Sequence, residues 1–222
     1  MIMDKIFFKN TLLGRTLRCI LGLFLYALGV YLTLRANIGL APWEVLAMGI
    51  AGRTGLIYGN ANLMVSFVVL ALDVLMRERI GIGTVLNTII CSKAVDLYLW
   101  LDLVPQQESV GMGILLLVAG MFVVAIGQWV YISPGLGSGP RDSFMVGVGK
   151  RLRRLPIGLV QNGILLTVLL VGWLLGGPVG IGTLISVVGM GTAMQIVFRT
   201  VKFEPRNVEH ENVVQSFQKL GK

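Results

Sequence analysis

The chain has 222 residues, 55% of them hydrophobic and only 14% charged, with 29 glycines, a mean hydropathy of +0.80 and a net charge of +8. A soluble domain carries about 25% charged side chains, so this chain lacks the polar shell that a water-soluble enzyme of its size needs. The composition also excludes a disordered chain and a disulfide scaffold, and leaves an integral membrane protein.

In chain order, residues 1–17 read as a basic N-terminus, in which Lys5, Lys9 and Arg15 precede the first apolar run, Cys19–Leu34. The run resembles a signal peptide in length, but Arg35, Ala36 and Asn37 follow it instead of a small-residue cleavage site, so it is expected to stay. Ala36–Tyr58 comes next and is broken by Gly39 and Pro42; its apolar part, Val45–Ala51, is too short to cross a bilayer, which takes about 20 residues. Leu63–Met76 and Ile80–Leu101 complete a first membrane unit over residues 18–102. An external loop, residues 103–111, separates it from a second unit over 112–199. That unit holds Met112–Ile132, a second broken segment Ser133–Ile157, and the spans Gly158–Leu175 and Gly180–Phe198. Residues 200–222 form a polar tail containing His210, with Val213, Val214, Phe217 and Leu220 placed either as one face of a short surface helix or in a disordered end. All spans are continuously apolar, which predicts helices and not the alternating strands of a barrel.

The chain matches itself. At an offset of 98, Gly22, Phe24, Ala27, Gly29, Gly39 and Pro42 fall on Gly120, Phe122, Ala125, Gly127, Gly137 and Pro140, and Glu44 falls on Asp142. At an offset of 99, Gly59 meets Gly158, Asn62 meets Gln161, and Gly81-Ile82-Gly83-Thr84 meets Gly180-Ile181-Gly182-Thr183. Leucine matches between apolar segments are cheap; glycines, prolines and an identical four-residue string in register are not.

Charge then orients the halves. With three crossings per half, the N-terminus, Arg77-Glu78-Arg79, Lys150–Arg154 and the tail after Arg199 all lie on one side, while Asp102 and Glu108 lie on the other. Only Arg35 and Arg53 break the pattern. The positive-inside rule makes the basic side cytoplasmic. Eight crossings in parallel halves would put Arg77 and Arg79 outside and fit worse. The expected architecture is therefore all-α: six long transmembrane helices plus two short broken or re-entrant helical segments, arranged as an inverted internal repeat, with both termini inside.

The two breaks carry the candidate substrate site. Pro42 and Pro140 suit the first turn of a helix, placing Trp43, Glu44, Arg141 and Asp142 directly after them. One role for a carboxylate in a first helical turn is to complement the helix dipole alone; two such acids related by a repeat also match the discontinuous helices from which secondary transporters build midplane sites. Gly137 and Ser138 allow close approach of backbone to a solute, and Asn62, Gln161 and Asn162 are polar residues at the edges of apolar spans. Lys93 and Asp96, three apart inside a span, form either an intramembrane ion pair or a coupling site; their repeat equivalents include the uncharged Gln195. Cys19 and Cys91 are embedded in apolar runs and no metal, cofactor or Ser/His catalytic set can be assembled, so no enzyme is expected. Basic residues cap apolar spans, which points to a lipid bilayer and not to nucleic acid.

Gly137-Ser138-Gly139-Pro140-Arg141-Asp142 after a long apolar helix, followed by a basic turn and Ile157-Gly158, resembles the YczE/YyaS/YitT family of bacterial membrane proteins. Ile38-Gly39-Leu40-Ala41-Pro42-Trp43-Glu44 brings it closer to the YczE branch, while Pro140 stands where YitT members more often have glycine. The resemblance covers about residues 18–200 and implies a multi-span protein of the bacterial plasma membrane. The residues themselves favour a small-solute secondary transporter or permease. The alternative is an accessory or regulatory membrane protein that binds a protein partner or a second copy of itself.

Overall fold

The computed structural model describes residues 11–152 and 154–205, together with Val208 and Glu211. His210, Lys5, Lys9, Arg153 and the apolar tail face expected at Val213–Leu220 lie outside the described residues. Among the described residues there are eight helices and no strand: α1 (Leu12–Arg35), α2 (Pro42–Thr54), α3 (Tyr58–Leu75), α4 (Ile82–Leu101), α5 (Val110–Ile132), α6 (Pro140–Arg151), α7 (Ile157–Leu174) and α8 (Ile181–Thr200). α1 starts two turns before the expected span, capped by Thr11, whose side chain accepts from the Gly14 amide at 3.2 Å. α4 contains one π-helical turn at Asn87–Cys91 between two regular segments.

Five helices, α1, α3, α4, α5 and α8, are long and apolar enough to cross a membrane. The sixth expected span, α7, is not among these five: among the described residues its apolar helix runs Gly158–Leu174, after Pro156 and before the left-handed Gly176.

The centre of the fold is the α1–α5 pair, which glycines bring into backbone contact. An added methyl at Gly29 would lie 2.5 Å from the Val124 amide nitrogen, and one at Gly120 would lie 2.8 Å from Thr33. Gly22 and Gly127 are blocked in the same way by the backbones of Tyr131 and Tyr26. These four glycines are the ones the 98-residue offset superimposes. Around this pair α2 packs on α7 and α6 on α3, while α4 packs on α1 and α8 on α5.

The two broken segments dock reciprocally. The Gly83 amide donates to the Leu136 carbonyl at 2.8 Å, and the Gly182 amide to the Ile38 carbonyl at 2.7 Å. Gly137, at φ +122°, lies over Gly81 and Thr84; Gly39, at φ +106°, lies over Gly180 and Thr183. The repeated Gly-Ile-Gly-Thr string is thus the seat for the opposite half's break, with no room for a Cβ on either partner.

Both ends of α2 rest on one short connection. Leu40 donates to Pro178 and the Arg53 Nε to the Leu175 carbonyl at 3.2 Å. α6 does the same on the α3–α4 connection: it starts beside Gly81–Thr84 and ends where Lys150 pairs with Glu78 at 2.5 Å and Arg151 donates to the Met76 carbonyl. Each short helix is therefore held at both ends by one connection. Arg35, the other basic residue that broke the charge pattern, is paired with Asp102 and stacked on Tyr31. From the tail, Glu211 pairs with Arg15 at 2.9 Å.

Candidate functional site

The starts of α2 and α6 face each other across a cavity of about 330 Å³. Because proline occupies the first position of both helices, residues 43, 44, 141 and 142 project from first turns that have no hydrogen-bonded turn before them. The Arg141 guanidinium donates to Glu44 Oε1 at 2.9 Å and to Asn62 Oδ1 at 2.5 Å, and lies 5.0 Å from the centroid of the Trp43 ring. Both members of this ion pair are largely buried, at 19% and 10% side-chain exposure. Pairing lets two charges sit at such depth; one without the other would be costly.

Asp142, the repeat equivalent of Glu44, has no such cation. Its Oδ2 accepts from the Tyr131 hydroxyl at a long 3.4 Å. Tyr131 packs edge-on against Tyr26, centroids 6.0 Å apart. Tyr58 and Met190 also line the cavity.

Of the residues expected at the site, Pro42, Trp43, Glu44, Asn62, Pro140, Arg141, Asp142, Gln161 and Asn162 line the cavity. Gly137 and Ser138 do not: Gly137 seats the α5–α6 break on α4, and Ser138 pairs with Ser143 at 3.0 Å. Lys93, Asp96 and Gln195 also lie outside its lining. Lys93 is half-exposed and 4.0 Å from Asp96, and each has a shorter contact elsewhere: Lys93 donates to Asn60 at 2.5 Å, and Asp96 accepts from the Gly59 amide at 2.6 Å.

Those contacts belong to a seam. Between α3 and α4, Gly59 lies against Asp96 and the Ser92 carbonyl, and the Asn62 side chain donates to Ser92 Oγ at 2.9 Å. The equivalent positions between α7 and α8 are Gly158, Gln161, Gly191, Thr192 and Gln195. There an added methyl at Gly158 or Gly191 would meet nothing within 4 Å, and all five residues are exposed. Among the described residues α7 and α8 make no packing contact comparable to that of α3 on α4. One seam is closed and its counterpart is open, and the open one leads to the cavity through Gln161, Asn162, Gly191 and Met194.

Sequence reasoning missed Tyr26, Tyr58, Tyr131, Asn87 and Cys91 as lining residues. A signal existed: the lining comes in offset pairs, Thr33 with Tyr131, Asn87 with Ser186 and Cys91 with Met190 among them. Among the described residues no group of His, Cys, Asp or Glu could hold a metal ion.

The chain matches the DUF6198 family, described as a family of unknown function, over residues 13–199. An uncharacterized protein of Haemophilus influenzae is 30% identical over 179 residues, covering 81% of each chain. The uncharacterized membrane protein YczE of Bacillus subtilis is 28% identical, covering 78% of this chain and 80% of its own. The uncharacterized protein YyaS of the same organism is 23% identical, covering 82% of this chain and 91% of its own. No solved structure matches.

Proposed function

The chain, a membrane protein, belongs to the DUF6198 family and is related to YczE and YyaS, and from its cavity and its two unlike seams we propose that it is a small-solute secondary transporter whose site lies between the first turns of α2 and α6. The observation that carries this reading is the pair of seams. The same two helices, matched residue by residue at an offset of 99, are locked by Gly59, Asn62, Ser92 and Asp96 in one half and stand apart in the other. A scaffold that only packs has no use for the difference. A carrier that opens its site to one side at a time requires it.

In this reading the halves form an inverted repeat of six crossings, with α7 as the sixth and α2 and α6 as re-entrant segments. The reciprocal Gly83–Leu136 and Gly182–Ile38 bonds and the paired glycines of α1 and α5 support it. The basic segments at Arg77–Arg79 and Lys150–Arg154 favour a cytoplasmic position for both termini in a bacterial plasma membrane. The open seam, formed by the start of α7 and the end of α8, then gives the cavity access from the cytoplasmic side.

Paired cysteines test the alternation without knowledge of the solute. In a background with Cys19 and Cys91 replaced, Asn60→Cys/Lys93→Cys spans the closed seam and Leu159→Cys/Thr192→Cys the open one. A carrier that alternates forms a disulfide at both sites under oxidation in the membrane, since each seam closes in turn. A disulfide at the first site alone would overturn the reading and favour an accessory protein that binds a partner.

A further inference from the structure

We propose that the solute held in the cavity is a small organic cation, with its ammonium group against Asp142 among aromatic rings. This deepens the transporter reading and rests on it for the solute being carried.

The argument begins with what is already occupied. Three residues lining the cavity carry a formal charge: Glu44, Arg141 and Asp142. Arg141 would be the natural anchor for an anion, but its two terminal nitrogens donate to Glu44 and Asn62, and its face covers Trp43. An anion would have to displace Glu44 from a buried pair and leave that carboxylate unpaired, which is strongly unfavourable. With Glu44 and Arg141 cancelling, the cavity has one carboxylate left over. The first turn of α6 beneath Asp142 contributes no net charge.

The surroundings of that carboxylate fit an ammonium better than a bare metal ion. Asp142 faces a single long hydroxyl contact, from Tyr131, where a dehydrated metal ion would need several oxygen ligands. Instead the walls present Tyr26, Tyr58, Tyr131 and the thioether of Met190. Aromatic faces attract alkylammonium groups through the ring quadrupole. At about 330 Å³ the space is also at the scale of small-molecule sites.

The test uses three probes of one shape and different charge: benzylammonium, benzyl alcohol and benzoate. Each is titrated calorimetrically into the full-length protein in lipid nanodiscs, with empty nanodiscs as the reference for partition into lipid. Benzylammonium should bind about tenfold or more tighter than benzyl alcohol, with benzoate weakest. Asp142→Asn should bring the amine and the alcohol level. Should that variant not fold, the ranking on the unaltered protein decides by itself. Benzyl alcohol or benzoate binding as tightly as the amine, or none of the three binding, overturns the proposal. The cross-linking result is independent of these readings. Both seams closing with no amine preference would remove the cation and keep the carrier, and an amine preference with one seam permanently open would keep the site and remove transport.

Discussion

The guanidinium carbon of Arg141 lies 5.0 Å from the ring centroid of Trp43, and these two residues occupy the same position in the two halves of the chain. Equivalent residues meet only where the halves face each other, so the cavity sits at their junction and is built by both. Arginine replacing tryptophan at this point also breaks the likeness between Glu44 and Asp142. Arg141 reaches across to Glu44, and nothing reaches across to Asp142 in return.

Removing Arg141 strands Glu44, which is 7% exposed. Arg141→Ala should therefore cost about 3–5 kcal/mol, and Arg141→Ala/Glu44→Gln should recover most of that loss. The midpoint of unfolding in mild detergent reads both. Additive losses in the double variant would show that the pair does not stabilise the fold as described.

The α1–α5 contact makes a sharper demand. Gly29→Ala places a methyl 2.5 Å from the Val124 nitrogen and 2.8 Å from the Gly120 carbonyl oxygen, atoms of a backbone that cannot turn aside, and should cost about 1–3 kcal/mol. Gly52→Ala, in α2 with nothing within 4 Å of the new methyl, should stabilise by up to about 1 kcal/mol through helix propensity. Thermal unfolding of the two variants side by side checks the contrast, and equal midpoints would contradict it.

The two seams should respond differently to one substitution. Gly59→Ala drives a methyl into Asp96 and the Ser92 carbonyl and should open α3 from α4, lowering stability by about 1–3 kcal/mol. Gly158→Ala, its equivalent, meets nothing and should leave the midpoint within about 0.5 kcal/mol of the parent. A loss at Gly158 as large as that at Gly59 would mean that α7 and α8 are closed in the protein as it stands.

Lys93 and Asp96 form the i,i+3 ion pair expected from their spacing, but at 4.0 Å it should be weak beside the shorter contact that each makes elsewhere. Lys93→Ala removes a half-exposed group 4.0 Å from the carboxylate and should cost under about 1 kcal/mol. Asp96→Ala takes away the acceptor of the Gly59 amide and should cost about 1–3 kcal/mol. A double-mutant cycle between them should give a coupling below about 1 kcal/mol, and a larger one would show that the ion pair outweighs the shorter contacts.

Much of this was legible before the structure. Proline at the start of a short apolar segment, with an acid two residues on, marked α2 and α6, and the offset of 98 named the glycines that press α1 against α5. The offset also set Asn62 beside Gln161, and both line the cavity. Spacing told part of the story for Lys93 and Asp96: three apart on a helix, they pair at 4.0 Å, but a neighbouring helix offers each a nearer partner that spacing does not reveal. The aromatic lining was hidden for another reason. Tyr26 and Tyr131 lie within continuous apolar runs, where only the rotation of the helix decides whether a ring faces lipid or cavity. The limits of α7 were legible as well: the expected span Gly158–Leu175 differs from Ile157–Leu174 by one residue at each end.

The π-helical turn at Asn87–Cys91 links these observations to motion. α4 and α8 align without a gap, but only α4 carries the wider turn. One residue taken up in this way advances the phase of everything after it by about 100°. Ser92 and Asp96 are thereby dialled towards α3, whereas Gly191 and Gln195 keep the phase of an unbroken helix. For α8 to present its own second half to α7 in the same manner, it would have to wind in an extra residue near Ser186–Met190 while α4 lets one go. On the alternating-access proposal, closing the open seam is then a twist that changes registry along a helix, not a tilt of two rigid rods.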